Sequence, residues 1–357
     1  MNERPVQIRP YRSGDADAVS AFMKRCFLKD SSMEVRSHEP SYYKWKYRPN
    51  PWGKPAVLLA ESEHQVVGLF CIIPKPLKIG EKNVIAGETG DAYTDPAYQG
   101  RGLFYKMIAR AFDMMNEQDI HIFFTTANEI ALKIWTGLFR FRKVLAYSSW
   151  VRPLQFGAVF RKKMHMGAFS SLFSWPFSLT YKLCFSGLFS FRMKGYSLEP
   201  SGFSDPRIGY LWREGAVSQG VSLVKDSTYF RYRYGSNPEE YRICLLQKES
   251  KVAGAVVIKR VPMFGMHCAL IVDWMVADAR PDHYRALIRE TLSLIKRNRI
   301  GEFAATWSGQ ADWMGRTLRR YGFLKRKKTI HLLCGGDAAE AAAAGSWHFT
   351  HGDSDNV

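Results

Sequence analysis

Acidic residues are scarce in this chain: 33 Asp and Glu stand against 51 Lys and Arg, a net charge of +18 over 357 residues. Cysteine is sparse too, with six thiols at 26, 71, 184, 244, 268 and 334 and no Cys-x-x-Cys pair. Neither a zinc site nor a disulfide framework is indicated, and the nine histidines show no metal-ligand spacing. No uncharged stretch reaches the roughly 20 apolar residues of a membrane span. Met-Asn-Glu-Arg-Pro opens the sequence with no apolar segment behind it, so we expect no secretory signal and a cytoplasmic protein with reduced thiols. No nucleic-acid-binding motif appears and the basic excess is spread along the chain, so nucleic acid is not an expected partner. Hydrophobic content of 46%, with 14% aromatics, is that of a globular chain long enough for two or three cores.

What is present centres on Thr94-Asp95-Pro96-Ala97-Tyr98-Gln99-Gly100-Arg101-Gly102-Leu103-Phe104. Strand-like residues enter a turn with two glycines, which opens into a helix. Phe104, Met107, Ile108, Ala111, Phe112 and Met115 give that helix one apolar face. Such a turn aims several backbone N–H groups at one spot, where the helix dipole adds positive potential and a pyrophosphate can sit. The Gly-Lys-Ser/Thr ending of a Walker loop is missing, and Tyr105 stands where a dinucleotide fingerprint needs its third glycine.

Gln99-x-x-Gly102-x-Phe104 resembles motif A of the GNAT family of acetyl-CoA-dependent N-acyltransferases, with Phe104 replacing a small residue. Three flanking segments add to the resemblance. Ile8 to Asp15, leading into a helix from Ala16, reads as the strand, capped turn and helix that usually open such domains. Ala56 to Leu59 and Val66 to Ile73 read as two strands joined by a polar turn. Ile120 to Phe124 reads as a strand leading to Asn128-Glu129-Ile130-Ala131 and a helix through Trp135. The resemblance implies acetyl-CoA, or another acyl-CoA, as co-substrate, held by Tyr93, Thr94, Gln99, Gly100, Arg101, Gly102, Leu103, Phe104, Asn128 and Trp135. Trp135 takes the place of a tyrosine that in the family often protonates the departing thiolate. Indole has no useful acidity, so we expect Trp135 to pack against the coenzyme arm.

The chain also repeats itself. Tyr42-Tyr43-Lys44-Trp45-Lys46-Tyr47-x-x-Asn50-Pro51 recurs as Tyr229-Phe230-Arg231-Tyr232-Arg233-Tyr234-x-x-Asn237-Pro238. Each copy continues into two strands and then to an aspartate, Asp91 or Asp273. In the second copy the place of the glycine turn reads Ala277-Asp278-Ala279-Arg280-Pro281-Asp282-His283, with no glycine and two carboxylates. The fold expected is therefore α/β (α+β), two tandem GNAT folds, each a mixed, mostly antiparallel sheet flanked by helices. The divisions are 1–150 with the acyl-CoA loop, a connector at 151–200, a degenerate unit at 201–335, and a tail at 336–357. The connector holds seven basic residues and no acidic one between Arg152 and Lys194, interleaved with aromatics. It reads as a packed helical linker, or as a peripheral contact with anionic lipid at the inner face of a membrane. Ala338 to Ala344 reads as a mobile linker, and the Asp-Ser-Asp at 353–355 as a frayed end or, alternatively, as a group that meets a cation or the acceptor; Trp347 and Phe349 suggest that the tail folds back.

Acyl transfer to an amine needs a proton acceptor near the strand before the turn. Glu88 and Asp91 lie there, and their odd spacing puts them on opposite faces of a regular strand, so one at most faces the acceptor. Glu88 is favoured, Asn128 joins the candidate set, and Glu129 and His121 are outsiders. The function implied is N-acyl transfer from coenzyme A to an amine, such as an amino sugar in cell-surface polysaccharide assembly. The alternatives are a Fem-like aminoacyl transferase fed by charged tRNA and a non-catalytic acyl-CoA-binding protein.

Overall fold

The computed structural model describes residues 5–27, 38–157, 176, 179–181, 185, 195–215, 220–309, 312–337 and 339–354. Apolar alternation and helical stripes lay out the first half as β1 (Gln7–Pro10), α1 (Ala16–Phe27), α2 (Pro40–Lys46), β2 (Ala56–Ser62), β3 (Gln65–Ile79), β4 (Lys82–Thr94), α3 (Leu103–Asn116), β5 (Ile122–Ala127), α4 (Glu129–Leu138) and β6 (Arg142–Pro153). The second half repeats that order as β7 (Tyr196–Ser201), α5 (Pro206–Gly215), a short β8 (Val221–Leu223), α6 (Ser227–Phe230), β9 (Tyr241–Lys248), β10 (Lys251–Met263), β11 (Met266–Val276), α7 (Pro281–Arg297), β12 (Phe303–Ser308), α8 (Asp312–Arg320) and β13 (Leu324–Gly336). It closes with α9 (Ala339–Ala344) and β14 (Trp347–His348).

All the strands belong to one sheet, whose main path runs β1-β2-β3-β4-β5-β13-β6-β12-β11-β10-β9-β7. The centre of that order is informative. β13, from the second half, lies between β5 and β6, and β6, from the first half, lies between β13 and β12. Each half hands its last strand to the other, so no cut in the connector separates two complete sheets. The repeated aromatic runs meet where the halves face each other. Trp45 and its counterpart Tyr232 stack at 5.5 Å, and Trp45 Nε1 donates to Ser236 Oγ at 3.2 Å.

One face of the first half's sheet is covered by α3 and α4 through Phe70, Ile72, Met107, Ile108, Ala111, Met115, Phe123 and Trp135. The other is covered by α1 and α2 through Val19, Phe22, Tyr43, Trp45, Leu69, Cys71 and Ile73. Two expectations about the tail are overturned. Ala339–Ala344 is a helix, consistent with the high helix propensity of alanine, and Ala342 is buried against Cys334. His351, Gly352, Asp353 and Ser354 are buried rather than frayed, because Lys225, Arg233 and Lys75 supply partners from elsewhere in the chain. Most of the connector, with the membrane reading attached to it, lies outside the described residues.

Candidate active site

The site is built where two parallel strands part. β4 and β5 pair at Gly87↔Phe123 and Glu88↔Phe124 and at no later position among the described residues. Thr125 Oγ1 donates to Thr89 O at 3.1 Å just beyond. Beyond that point the two strand ends are unpaired with each other among the described residues, and Ser354 lies between them, against Glu88 and Thr126. The second half has the same construction: β11 and β12 pair through Leu270↔Ala305, and Thr306 Oγ1 donates to Ile271 O at 3.2 Å. This places Thr89 against Ile271, Asp91 against Asp273 and Glu88 against Leu270.

At the end of β4 the chain makes a tight turn into α3. Asp95 Oδ1 accepts from Ala97 N at 3.0 Å, and Gln99 Nε2 donates to Thr94 O at 3.0 Å, closing the turn. Gly100 and Gly102 both have left-handed φ, 77° and 71°, a conformation that glycine adopts without strain. A Cβ built on either meets nothing within 4 Å, so the space in front of the turn is open. Gly102 is the N-cap of α3 and no side chain caps that helix, which leaves its first N–H groups for an outside acceptor. Thr94 Oγ1 is buried without a partner among the described residues. Arg101 lies over the Tyr98 ring at 5.1 Å and adds positive charge. These features fit a pyrophosphate. The corresponding turn of the second half does not. Pro281 stands at the start of α7, where it removes an N–H, and Asp282 follows in the first turn.

The two carboxylates do not take opposite faces. The β3–β4 register slips between Leu69↔Tyr93 and Cys71↔Gly90, with Asp91 at φ 48°. This bulge resets the alternation. Glu88 pairs with Ile73, and Asp91 Oδ2 lies 3.5 Å from Cys71 Sγ, so both acids face the α1 and α2 side. Their surroundings differ. Asp91 Oδ2 takes Lys46 Nζ at 2.5 Å and Tyr47 OH at 2.8 Å, and burial followed by the nearby Asp91 charge pushes the Cys71 thiol well up, keeping it protonated. Asp273 repeats the arrangement with Tyr234 OH at 2.8 Å and Lys225 at 2.7 Å. The aspartate with its lysine and tyrosine partners thus recurs in both halves, the one with the glycine turn and the one without.

Glu88 belongs to the first half alone. It is 1% exposed, its Oε2 is 2.7 Å from Lys75 Nζ, and its Oε1 accepts from Ser354 Oγ at 2.7 Å. Sequence reasoning missed both partners. A lysine within Ile72-Ile73-Pro74-Lys75-Pro76-Leu77 is a signal that could have exposed the first.

The remaining candidates are spread around this centre. Tyr93 is partly buried, edge-on to Phe22 at 5.9 Å. Leu103 is in the core at 7% exposure, and Phe104 packs edge-on to Phe70 at 6.4 Å. Asn128 caps α4, its Oδ1 accepting from Ile130 N at 3.1 Å and Ala131 N at 2.9 Å. That bonding gives it a structural duty. Trp135 is 3% exposed and lies among Phe70, Phe139 and Phe141, with ring centres at 6.3, 5.1 and 4.7 Å. Glu129 is bound to His331 Nε2 at 2.7 Å. His121 precedes β5, at the end away from the parted strand ends, held by Asn116 and Asp119.

No helix among the described residues is long and apolar enough to cross a membrane. No curated protein matches the chain significantly in sequence. Residues 7–133 match the family model described as an acetyltransferase (GNAT) domain. Among solved structures, a tandem GNAT protein from the clavulanic acid biosynthesis pathway matches with a TM-score of 0.62 and 12% identity, over 96% of this chain and 100% of that one. Saccharomyces cerevisiae N-myristoyltransferase with bound myristoyl-CoA matches with a TM-score of 0.63 and 11% identity, over 98% of this chain and 92% of that one. A GCN5-related N-acetyltransferase from Anabaena variabilis matches with a TM-score of 0.59 and 14% identity, over 92% of this chain and 72% of that one. Residues 7–133 thus match a GNAT domain, and the chain as a whole has the fold of a tandem GNAT protein.

Proposed function

We propose that the chain is an N-acyltransferase that takes an acyl group from coenzyme A at the parted strand ends of its first half. The observation that carries this reading is the asymmetry between the halves. The open glycine turn and the buried Glu88 occur together in the first, whereas Pro281, Asp282 and Leu270 replace them in the second. The N–H groups at Gly102 to Phe104, with Arg101, hold the pyrophosphate, and the stretch of β4 beyond Thr89, which has no β5 partner among the described residues, aligns the pantetheine arm. Bound acyl-CoA supplies an activated thioester. Holding it against an amine in one geometry is the largest contribution this chain makes. Glu88 takes the ammonium proton, as the buried carboxylate beside the turn that the first half alone carries. The leaving thiolate is protonated from solvent, since Trp135 offers no acid.

The acceptor that we put first is a primary amine on an anionic carrier, an amino sugar of a cell-surface polysaccharide among them, for which the net charge of +18 provides attraction. A charged-tRNA donor is the weaker reading, because the glycine turn has a ready use only with a pyrophosphate.

The test is release of free thiol from acetyl-CoA with a panel of primary amines, by the unaltered chain and by Glu88→Gln. We expect amine-dependent release that survives ribonuclease and falls at least a hundredfold in the variant. Release that requires charged tRNA, or a Glu88→Gln chain as fast as the original, overturns the reading.

A further inference from the structure

The segment from Trp347 to Ser354 crosses from one half to the other. β14 pairs with β8, which pairs with Leu77–Ile79 of β3. Thr350 Oγ1 donates to Asp273 Oδ1 at 2.8 Å. Lys225 Nζ lies 2.7 Å from both Asp273 and Asp353. Arg233 Nε donates to Gly352 O at 2.9 Å and its Nη2 to Ser354 O at 3.1 Å. Arg233 is the counterpart of Lys46 in the repeat, so the second half has turned an internal ion-pair position into a clamp on the tail. A side chain on Gly352 would run into Tyr234 and Val272, which shows how closely the tail is seated.

Past this clamp the tail enters the first half's site. Lys75 Nζ, paired with Glu88, also donates to Asp353 O at 2.9 Å. Ser354, with no exposed surface, bonds Glu88 Oε1 at 2.7 Å and lies 3.0 Å from Thr126 Oγ1. The fold itself does not require this contact, since the position of Glu88 is filled by Leu270 in the second half. A hydroxyl donating to one carboxylate oxygen fixes the rotamer and turns the remaining lone pairs in a set direction.

We propose that Ser354 is a positioning residue for Glu88, and that the second half, through Arg233 and Lys225, serves to hold it there. The proposal rests on the reading of Glu88 as the base. It gives the half without a coenzyme cradle a part in the chemistry of the other.

The experiment uses the full chain, acetyl-CoA and the amine panel, with water as acceptor where no amine exceeds it, and compares Ser354→Ala, Glu88→Gln, the double variant and Arg233→Gln. Ser354→Ala should lower kcat about tenfold with KM for acetyl-CoA unchanged. The double variant should be no slower than Glu88→Gln alone, because the serine acts only through the carboxylate. Arg233→Gln, which touches neither Glu88 nor the glycine turn in the contacts above, should lower kcat in the same direction. Unchanged kcat in Ser354→Ala, or a serine effect that multiplies that of Glu88→Gln, overturns the proposal and leaves the base reading standing. Full activity in Glu88→Gln, or no thiol release by the unaltered chain, removes the base reading and this one with it.

Discussion

Replacing Asp353 with asparagine should change how stability depends on pH, in a direction set by the tail's seating. Asp353 has no exposed surface. Burial pushes its carboxyl up to about 6, against the pull of Lys225, and the charge of Asp273 adds to the rise. A group whose folded value lies above its unfolded one, here 3.8, binds its proton more tightly when folded. Its ionisation therefore costs stability as pH rises from about 4 to about 6. At about 1.36 kcal/mol per pH unit the cost is about 3 kcal/mol by neutral pH. His348 acts in the opposite sense. Burial pushes it down to about 4 from 6.5, so its contribution is present above 6.5 and is lost as pH falls toward 4. Both chains contain His348, so it cancels in their difference. Urea melts of the original chain and Asp353→Asn at several pH values between 4 and 7 give that difference. The variant should gain about 3 kcal/mol relative to the original between pH 4 and pH 7. A flat difference over this range would show that the folded chain does not raise the Asp353 carboxyl, and would contradict the reasoning.

Two substitutions at Trp135 follow from its place in the α3–α4 core. Trp135→Ala should lower stability by about 3–5 kcal/mol through the cavity it leaves among Phe70, Phe139 and Phe141, read by denaturant melts. Trp135→Phe should keep turnover within a few-fold; a collapse of kcat with stability intact would show that the indole N–H acts in the transition state.

Much of this was legible in the sequence, because the informative features are local. A glycine turn between a strand and an amphipathic helix needs only ten or so adjacent residues to be recognised, and the repeat is visible from the shared aromatic-basic run ending in Tyr-x-x-Asn-Pro and the strands after it. The exchange of β6 and β13 was not legible, since pairing between residues such as Ile330 and Tyr147 leaves no local mark. The faces of Glu88 and Asp91 were misjudged because strict alternation fails at a bulge, of which a glycine within the strand, Gly90, is the one local sign. The tail misled for the same reason. Asp353 and Ser354 are polar by themselves, and they become core only because lysine and arginine side chains distant in sequence are buried with them. In Ala338 to Ala344 the signal was present and misread, as a run of alanines favours a helix over a coil.

The central claim is that one half holds coenzyme A and the other does not. Calorimetric titration of acetyl-CoA into the full chain and into Gly102→Val tests it most directly. Gly102 sits at φ 71°, where valine is strained by about 1–2 kcal/mol or more and puts a side chain into the open space before the turn. The account predicts one site per chain, weakened at least tenfold by Gly102→Val. Two equivalent sites, or one site whose affinity the valine leaves unchanged, would contradict it.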